Sequence, residues 1–299
     1  MTCREIRDLI KADIKEYIRL CNIYDYSLPK LVTVQVGDDE VSKKYINNKI
    51  KLCKDVGMLE EHIQLNGEVT DLMEILLNKK YNDESVNGVM IQLPATKEVE
   101  DMIFEMPKNK DVDGLGYESY KSYFFDRENT NIPCTVRGVL QILQCNNINV
   151  KGETVLIIGK GKTSGLPLSL MLQRLGATVI NVNSNTTKEN LHMLLNIANI
   201  VVSCAGTPIL NYENMKHSTY KAVINVGMTT IDGKVVGDID VNDLIEHKMD
   251  YESLITPVLG GTGILTVVNL LLNTCIQHYF TVKHEYLKES LFNIIGKYL

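Results

Sequence analysis

The sequence has 299 residues, of which 44% are hydrophobic and 23% are charged, and its formal net charge is −6. This length suits two domains, since about 100–200 residues per domain is usual. The acidic balance argues against nucleic acid as a partner, because binding phosphates requires a basic face. No stretch reaches the ~18 apolar residues of a membrane helix, and residues 1–8 resemble no targeting signal. We therefore expect a cytoplasmic protein without a membrane partner.

Helical and strand patterns alternate along the first half of the chain. Apolar periodicity predicts helices over residues 4–21, 41–55 and 69–79, and strands over residues 31–36, 62–65 and 86–93. Such alternation indicates a parallel sheet covered by helices. The charged segment 108–114 is predicted to be a loop, and a helix is predicted at 135–147.

A second series of alternating elements follows. Strands are predicted at 153–159, 177–182, 198–203 and 221–226, and helices at 165–175, 264–280 and 283–298. The fold class is therefore α/β, with two parallel-sheet domains flanking a cleft and the second domain Rossmann-like. We place the first domain at 1–147, with the helices of about 275–299 packing back on it, and the second at 148–274.

A glycine-rich turn follows the apolar run at 155–158, with glycines at 159, 161 and 165. A strand leading into such a turn and then a helix is typical of a phosphate site, because the helix N-terminus offers free N–H groups. The spacing is not the usual G-x-G-x-x-G, and a P-loop is excluded because leucine stands at 156. A dinucleotide site and an ordinary strand-to-helix turn both fit these residues taken alone.

Several polar residues in the first half could bind a ligand. Ser42, Tyr45 and Lys49 fall on one face of the predicted helix at 41–55, and Gln92 ends a buried-looking strand. These positions also fit a solvated helix face and a strand-end residue.

Acidic and metal-binding side chains give a weaker signal. Asp111 and Asp113 flank Val112, so in an extended segment they would point to one side, as a carboxylate pair or as part of a loop ending at Gly114. The six histidines and seven cysteines show no zinc spacing, so we expect no metal site and reduced cysteines.

Taken together and in order, the motifs resemble the bifunctional methylenetetrahydrofolate dehydrogenase/cyclohydrolase family. The matching stretches are Ser42-x-x-Tyr45-x-x-x-Lys49, Gly88 to Pro94, Lys110-Asp-Val-Asp113-Gly114, Pro133-Cys-Thr135, Gly159-Lys-Gly161-x-x-x-Gly165-x-Pro167, Val235-Val-Gly-Asp238, and Ile255-Thr-Pro-Val258 followed by Gly260-Gly-x-Gly263. The resemblance covers nearly the whole chain, and it includes the unusual glycine spacing.

The resemblance implies two steps of one-carbon metabolism. The first oxidises 5,10-methylenetetrahydrofolate with a nicotinamide cofactor, and the second hydrolyses the methenyl product to 10-formyltetrahydrofolate. The implied catalytic residues are Lys49, Gln92 and Asp113. Lys49 must lose a proton to activate water, so its pKa must fall from about 10.4. The implied substrate-binding residues are Ser42, Tyr45, Gln92, Leu93, Asp113, Pro257 and Gly263.

The same resemblance implies a cofactor site and a homodimer. The implied cofactor-binding residues are Gly159, Lys160, Gly161, Ser184, Gly206, Met228 and Thr266. Lys160 and Ser184 suit a 2′-phosphate, and no acid ends the strand at 177–182, so we expect NADP rather than NAD.

The sequence departs from the family pattern at four positions. Val136, Leu259 and Ile264 replace prolines, and Asn225 replaces an aspartate. Losing two fixed φ angles is expected to loosen the 257–266 loop. The altered loop permits a catalytically silent folate- or nucleotide-binding paralogue as one alternative. The alternative within the enzyme class is a monofunctional dehydrogenase, although relatives of that kind tend to lack the lysine retained at 49.

Overall fold

The computed structural model describes residues 1–65, 75–76, 80–125, 132–249 and 253–297. The chain divides into two compact units. The first comprises residues 7–134 and 267–298, and the second comprises residues 1–6, 135–266 and 299. Each contains a parallel sheet with helices in the connections between strands. The predicted α/β class with two parallel sheets is confirmed.

The first unit is built on a three-stranded parallel sheet in the order β2-β1-β3. Its elements in the first half of the chain are α1 (Cys3–Ile23), β1 (Lys30–Val36), α2 (Glu40–Val56), β2 (Leu59–Leu65), β3 (Gly88–Ile91), α3 (Lys97–Phe104) and α4 (Tyr117–Phe125). The predicted helices at 4–21 and 41–55 and all three predicted strands are confirmed. The helix predicted at 69–79 lies mostly outside the described residues.

The central strand of this sheet is buried and its edge strand is not. Residues 31–35 of β1 are all buried, whereas β2 has polar and partly exposed residues, as expected of an edge. Helix α2 begins after Asp39, whose carboxylate accepts the main-chain N–H of Ser42 at 2.7 Å, and ends at Gly57 with φ +84°. These caps fix the register of the helix that carries Lys49.

The second unit contains a five-stranded parallel sheet in the order β10-β7-β6-β4-β5. Its elements are α5 (Cys134–Cys145), β4 (Thr154–Ile158), α6 (Gly165–Arg174), β5 (Thr178–Val182), α7 (Lys188–Ile197), β6 (Ile200–Ser203), α8 (Tyr212–Met215), β7 (Ala222–Asn225), β8 (Met228–Ile231), β9 (Lys234–Gly237), α9 (Val241–Glu246) and β10 (Leu254–Ile255). Helix α10 (Thr262–Val282) begins in this unit and continues in the first, to which α11 (Glu285–Lys297) belongs.

The strand order of the second unit reverses beside β4. The chain passes from β4 outward to β5 and then returns to β6 on the other side of β4. Ligands of open α/β sheets bind at such a switch point, outside the carboxyl ends of the strands. The turns after β4 and β6 lie there, and they contain Gly159 and Gly206.

Most elements of the second unit follow the sequence pattern. The four predicted strands correspond to β4, β5, β6 and β7, while α7, α8, α9, β10 and the antiparallel pair β8-β9 were not predicted. The pair is joined by Asp232 and Gly233, both with positive φ, as a two-residue hairpin turn requires. No helix within the described residues is both long and apolar enough to cross a bilayer.

Candidate active site

The structure joins Lys49 on α2 to Gln92 at the end of β3. The Lys49 ammonium donates to Gln92 Oε1 at 2.7 Å and lies 3.9 Å from Met90 Sδ. Gln92 Nε2 donates to the Leu93 carbonyl at 2.5 Å, and its main-chain N–H donates to Val34 O at 2.8 Å. The amide is therefore held with its oxygen towards Lys49.

Lys49 and Asp113 perturb each other in this partly buried place. Burial lowers the pKa of Lys49, and the charges of Asp113 and Cys134 oppose that shift. Burial raises the pKa of Asp113, while Lys49 and a hydrogen bond from Cys134 oppose that shift. Loss of hydration disfavours both charged forms and exceeds their mutual attraction. Lys49 can therefore give up its proton more easily than an exposed lysine, which is the property that a base requires.

Asp111 has a different environment from Asp113, although only Val112 stands between them. Its carboxylate is buried and accepts the main-chain N–H groups of Gly114 at 2.9 Å, Leu115 at 3.2 Å and Gly116 at 2.7 Å. Burial raises the pKa of Asp111 despite these bonds. Asp111 therefore shapes the predicted loop, and the two carboxylates do not share one set of partners.

The loop at 108–114 is also bonded to strand β3. Val89 on β3 donates its main-chain N–H to Lys110 O at 2.7 Å, and Val89 pairs with Asp111 in a single parallel bridge. A Cβ added to Gly88 would lie 2.5 Å from Val112 Cγ1. Only glycine lets the loop approach the strand so closely, and Asp113 is placed by that approach.

The remaining predicted substrate residues divide between the units. Ser42 is buried and Tyr45 is 40% exposed, and both lie on the same face of α2 as Lys49. Leu93 follows Gln92 and is half-buried. Pro257 and Gly263 belong to the second unit, where Pro257 is exposed.

The glycine-rich turn after β4 uses its three glycines differently. Gly159 has φ +100°, and a Cβ there would lie 2.5 Å from Cys204 O. A Cβ on Gly165 would lie 2.0 Å from Gly159 O. Gly161 has nothing within 4 Å of an added Cβ, and Lys160 beside it is exposed. Two glycines thus allow close packing of the backbone, and the third leaves room for a ligand.

Ser184 lies in the exposed turn after β5. The main-chain N–H of Asn185 donates to Asn183 Oδ1 at 3.1 Å, and that of Asn183 donates to Thr186 Oγ1 at 3.3 Å, which shapes this turn. The strand itself ends in Asn181 and Val182, so no carboxylate stands at its end. The turn lacks the acid that usually binds the ribose of NAD.

Asp238 organises the turn that contains Gly206. Its buried carboxylate accepts the Ser203 hydroxyl at 2.8 Å and the Ala205 N–H at 2.6 Å, and also bonds the main chain of Gly206 and Thr207. Burial raises the pKa of Asp238 against these bonds. The sequence marked Asp238 only as part of a motif, and its contact with the turn was not predicted.

The other predicted residues of the second unit are Met228, Gly263 and Thr266. A Cβ on Gly263 would lie 3.5 Å from Met228 Cε, so these two residues are adjacent. Thr266 Oγ1 lies 3.3 Å from Thr135 Oγ1. Among the described residues, no group of three or more histidine, cysteine or acidic side chains could hold a metal ion.

Two buried asparagines of α10 carry a signal that is visible in the sequence. Asn269 and Asn273 stand four residues apart in the otherwise apolar start of α10 and are fully buried. Polar residues at that spacing share one face of a helix. Buried polar side chains need partners, so their positions indicate a specific contact.

Two family models match the chain. The model described as "Tetrahydrofolate dehydrogenase/cyclohydrolase, catalytic domain" matches residues 1–113, and the model described as "Tetrahydrofolate dehydrogenase/cyclohydrolase, NAD(P)-binding domain" matches residues 133–281. The two matches fall on the sheets of the first and second unit, respectively.

Several curated proteins and solved structures are similar to this chain over most of their length. A Hydrogenobaculum sp. protein named "Bifunctional protein FolD" is 36% identical over 277 residues, covering 91% of this chain and 94% of that protein. The solved bifunctional enzyme FolD of Campylobacter jejuni is 28% identical with a TM-score of 0.83, over 93% of this chain and 97% of that chain. The Trypanosoma brucei enzyme, solved with NADP and an inhibitor, is 26% identical with a TM-score of 0.87, over 95% and 98%.

Proposed function

The chain belongs to the tetrahydrofolate dehydrogenase/cyclohydrolase family, and we propose which of its residues perform each of the two reactions and with which cofactor. The enzyme oxidises 5,10-methylenetetrahydrofolate to the 5,10-methenyl form and hydrolyses that form to 10-formyltetrahydrofolate. We assign folate binding and hydrolysis chiefly to the first unit, and cofactor binding to the second.

The observation that carries this assignment is the arrangement of Lys49, Gln92 and Asp113. The lysine has a lowered pKa, a fixed acceptor at 2.7 Å and a nearby carboxylate, all within one unit. A base that must take a proton from water and return it needs such an environment. Tyr45 is exposed on the same helix face, where its ring can stack on the substrate.

In the hydrolysis step, a water oxygen attacks the methenyl carbon while Lys49 Nζ takes a proton from that water. The bond from this carbon to N5 of the folate then breaks, and its electron pair remains on N5. Lys49 returns its proton to N5, and the hydroxyl that the water left on the carbon loses its remaining proton to solvent as it becomes the formyl carbonyl on N10, so one proton is released overall. Gln92 holds the amine in position, and Asp113 accepts hydrogen bonds from the pterin ring.

The second unit suits a dinucleotide phosphate. The open space at Gly161 would be filled by a side chain, so its emptiness fits a closely approaching diphosphate, as does the helix N-terminus of α6. Lys160 and Ser184 are exposed and would bind the 2′-phosphate of NADP. When bound, the nicotinamide ring supplies the hydride acceptor for the oxidation. The NADP complex of the Trypanosoma brucei relative supports the same cofactor here.

A coupled absorbance assay tests the two activities together. Purified protein is mixed with methylenetetrahydrofolate and NADP, and the bands of reduced cofactor and methenyl-folate are followed. Reduced cofactor without lasting methenyl-folate supports the bifunctional enzyme. Lasting accumulation would mean a dehydrogenase alone, and silence with measurable ligand binding would mean the non-catalytic paralogue.

A Lys49→Ala variant tests the residue assignment. We expect it to bind folate but to lose the hydrolysis of added methenyl-folate, because the proposed base is removed. Lys44→Ala, on the exposed side of the same helix, is the matched control and should hydrolyse normally. Normal hydrolysis by Lys49→Ala would refute the role of Lys49.

We also propose that the chain forms a homodimer and acts in the cytoplasm. An apolar groove of about 720 Å³ in the second unit is lined in part by Val235, Ile245 and Leu259, which are 43%, 47% and 68% exposed. Covering such a surface favours association. None of the seven cysteines, all within the described residues, forms a disulfide, which suits a reducing compartment. Light scattering of the purified protein, with Leu259→Lys as the variant expected to be monomeric, tests the dimer.

A further inference from the structure

Asn273 on α10 joins two separate stretches of the first unit. Its side chain is fully buried, and its Nδ2 donates to Val112 O at 2.8 Å and to Ile132 O at 3.1 Å. The same nitrogen lies 3.5 Å from Cys134 Sγ. One amide group therefore binds both the residue just before Asp113 and the segment at Ile132.

Those two stretches also contact each other around Asp113. The Cys134 N–H donates to Asp113 O at 3.3 Å, and the Cys134 thiol is within hydrogen-bond reach of Val112 O at 3.2 Å and of the Asp113 carboxylate. On the other side, Val112 packs against Gly88 of β3. The main chain of Asp113 thus lies between β3 and the groups held by Asn273.

We propose that Asn273 is a positioning residue for the hydrolysis step, holding the segment that carries Asp113 in place beside Lys49. The role assumes the hydrolysis reaction proposed above. Asn273 touches none of the groups proposed to react, and it would act through the main chain at Val112 and Ile132.

The unused half of the amide supports this role. Asn273 Oδ1 is buried and has no hydrogen-bond partner among the described residues. An unpaired buried acceptor costs stability, so an apolar side chain would suit a purely packing position better. Only the two donated hydrogen bonds give asparagine an advantage over an apolar residue here.

The position of Asp113 has a measurable effect on Lys49. The titratable groups that act on Lys49 are Asp113 and Cys134, both of which raise its pKa, while Gln92 Oε1 and Met90 Sδ contact the amine. If the segment at Val112 relaxes and Asp113 recedes, this attraction weakens. The pKa of Lys49 then falls further, and the neutral amine is present at lower pH.

The test is the pKa of Lys49 in Asn273→Leu and Asn273→Ala, measured by the pH dependence of acetylation with acetic anhydride and mass spectrometry of the Lys49 peptide. We expect the pKa to fall by about one unit in both variants, since an opposite charge nearby contributes at least that much. The rising limb of the hydrolysis rate should move to lower pH by the same amount. The smaller alanine keeps the test available if leucine impairs folding.

Thr274→Val is the matched control. Thr274 is equally buried and donates its hydroxyl to Leu270 O at 2.8 Å, within its own helix. Losing that bond should lower the unfolding temperature without moving the pKa of Lys49. A general loss of packing at α10 would instead affect both positions alike.

Replacing Asn273 in a protein that already carries Asp113→Asn tests whether Asn273 affects the pKa of Lys49 through Asp113. Without that carboxylate, replacing Asn273 should no longer shift the pKa of Lys49, because the interaction being weakened is already absent. An unchanged pKa in Asn273→Leu and Asn273→Ala, or an equal shift in the Asp113→Asn background, would overturn the proposal. Acetylation of Lys49 requires no turnover. A wild-type protein without hydrolysis activity would therefore refute the proposed reaction, while the pKa of Lys49 in the variants would still test whether Asn273 holds Asp113 in place.

Discussion

Replacing Gln92 with glutamate should move the hydrolysis step to higher pH. Gln92 Oε1 accepts the Lys49 ammonium at 2.7 Å, and the side chain is held by its bond to Leu93 O. Glutamate has nearly the same shape but cannot donate to Leu93 O, so Gln92→Glu loses that bond while it places a carboxylate oxygen where a neutral amide oxygen faces Lys49. A negative charge there stabilises the protonated lysine and raises its pKa.

The size of the effect follows from that distance. Two unit charges 2.7 Å apart attract by about 6 kcal/mol at an effective dielectric constant of about 20. Desolvation of the new carboxylate offsets much of this, and an opposite charge at close range typically shifts a pKa by about 1–3 units. Each unit reduces the neutral fraction of the lysine about tenfold. Well below the pKa of Lys49, hydrolysis should therefore fall about 10- to 1000-fold.

The assay is the decay of methenyl-folate absorbance across a pH series, corrected for hydrolysis without enzyme. The rising limb of Gln92→Glu should lie about 1–3 pH units above that of wild type. Gln92→Met removes the acceptor and should lower the limb, because a hydrogen bond to a charged group contributes about 1.5–3 kcal/mol. If the rising limbs of the pH–rate curves move in the same direction in Gln92→Glu and Gln92→Met, or do not move, Lys49 is not the titrating base.

Further outcomes concern the second unit. Lys160→Ser should reduce kcat/KM for NADP about 10- to 100-fold, the loss of a charge-assisted bond, with little change for NAD, and equal losses would contradict its contact with the 2′-phosphate. Wild type should prefer NADP, and a preference for NAD of more than about tenfold, or about 1.4 kcal/mol, would overturn that choice. Gly161→Ala should keep the unfolding temperature but raise the KM for cofactor, whereas Gly159→Ala should lower the unfolding temperature in a fluorimetric melt, since its Cβ meets Cys204 O. In Asp238→Asn, the side-chain NH2 group would face main-chain N–H groups of the turn that contains Gly206, which the carboxylate accepts in the wild type. The KM for cofactor should therefore rise, and hydrolysis assayed without cofactor should be unchanged.

The sequence places the candidate residues on their elements but does not predict which of them contact one another. Helical spacing places Ser42, Tyr45 and Lys49 on one face, and a buried strand followed by proline places Gln92 at a strand end. The bond between Lys49 and Gln92 depends on how α2 packs over β3, which no local pattern encodes. The position of Asn273, 161 residues from the carbonyl it binds, depends on the fold as a whole.

The elements were predicted where apolar runs are long and were missed where they are short. Strands β4, β6 and β7 are entirely or almost entirely buried, so their sequences stand out. Helix α3 has eight residues and buries only Val99, Met102 and Ile103, which is too few for a clear helical period. In the β8-β9 hairpin only Gly237 is buried, so the pair lacks the apolar alternation of a half-buried strand.

The departure from the family pattern at Asn225 has a structural role. Asn225 Nδ2 donates to Gly227 O at 3.1 Å, and its Oδ1 accepts the Ile239 N–H at 3.1 Å. An ionised aspartate could make only the second bond. The N–H of Asp238 bonds the same Gly227 carbonyl at 3.3 Å, so a carboxylate at 225 would also lie near a buried acid. The amide therefore satisfies both partners without a second buried negative charge.

The same network reaches the 257–266 loop, in which Leu259 and Ile264 stand where the family pattern has prolines. Thr262 at the start of α10 donates its hydroxyl to Asn225 O at 2.7 Å, and the Ile264 N–H donates to Gly261 O at 3.3 Å, a bond that proline could not make. Gly261 packs so closely on the Pro257 carbonyl that a Cβ would lie 1.9 Å from its oxygen. Prolines would restrict this loop even in the unfolded chain, whereas these bonds exist only after folding. The order of the loop in this protein therefore depends on the start of α10 and on Asn225, and changes at either place should affect the loop before they affect the sheet.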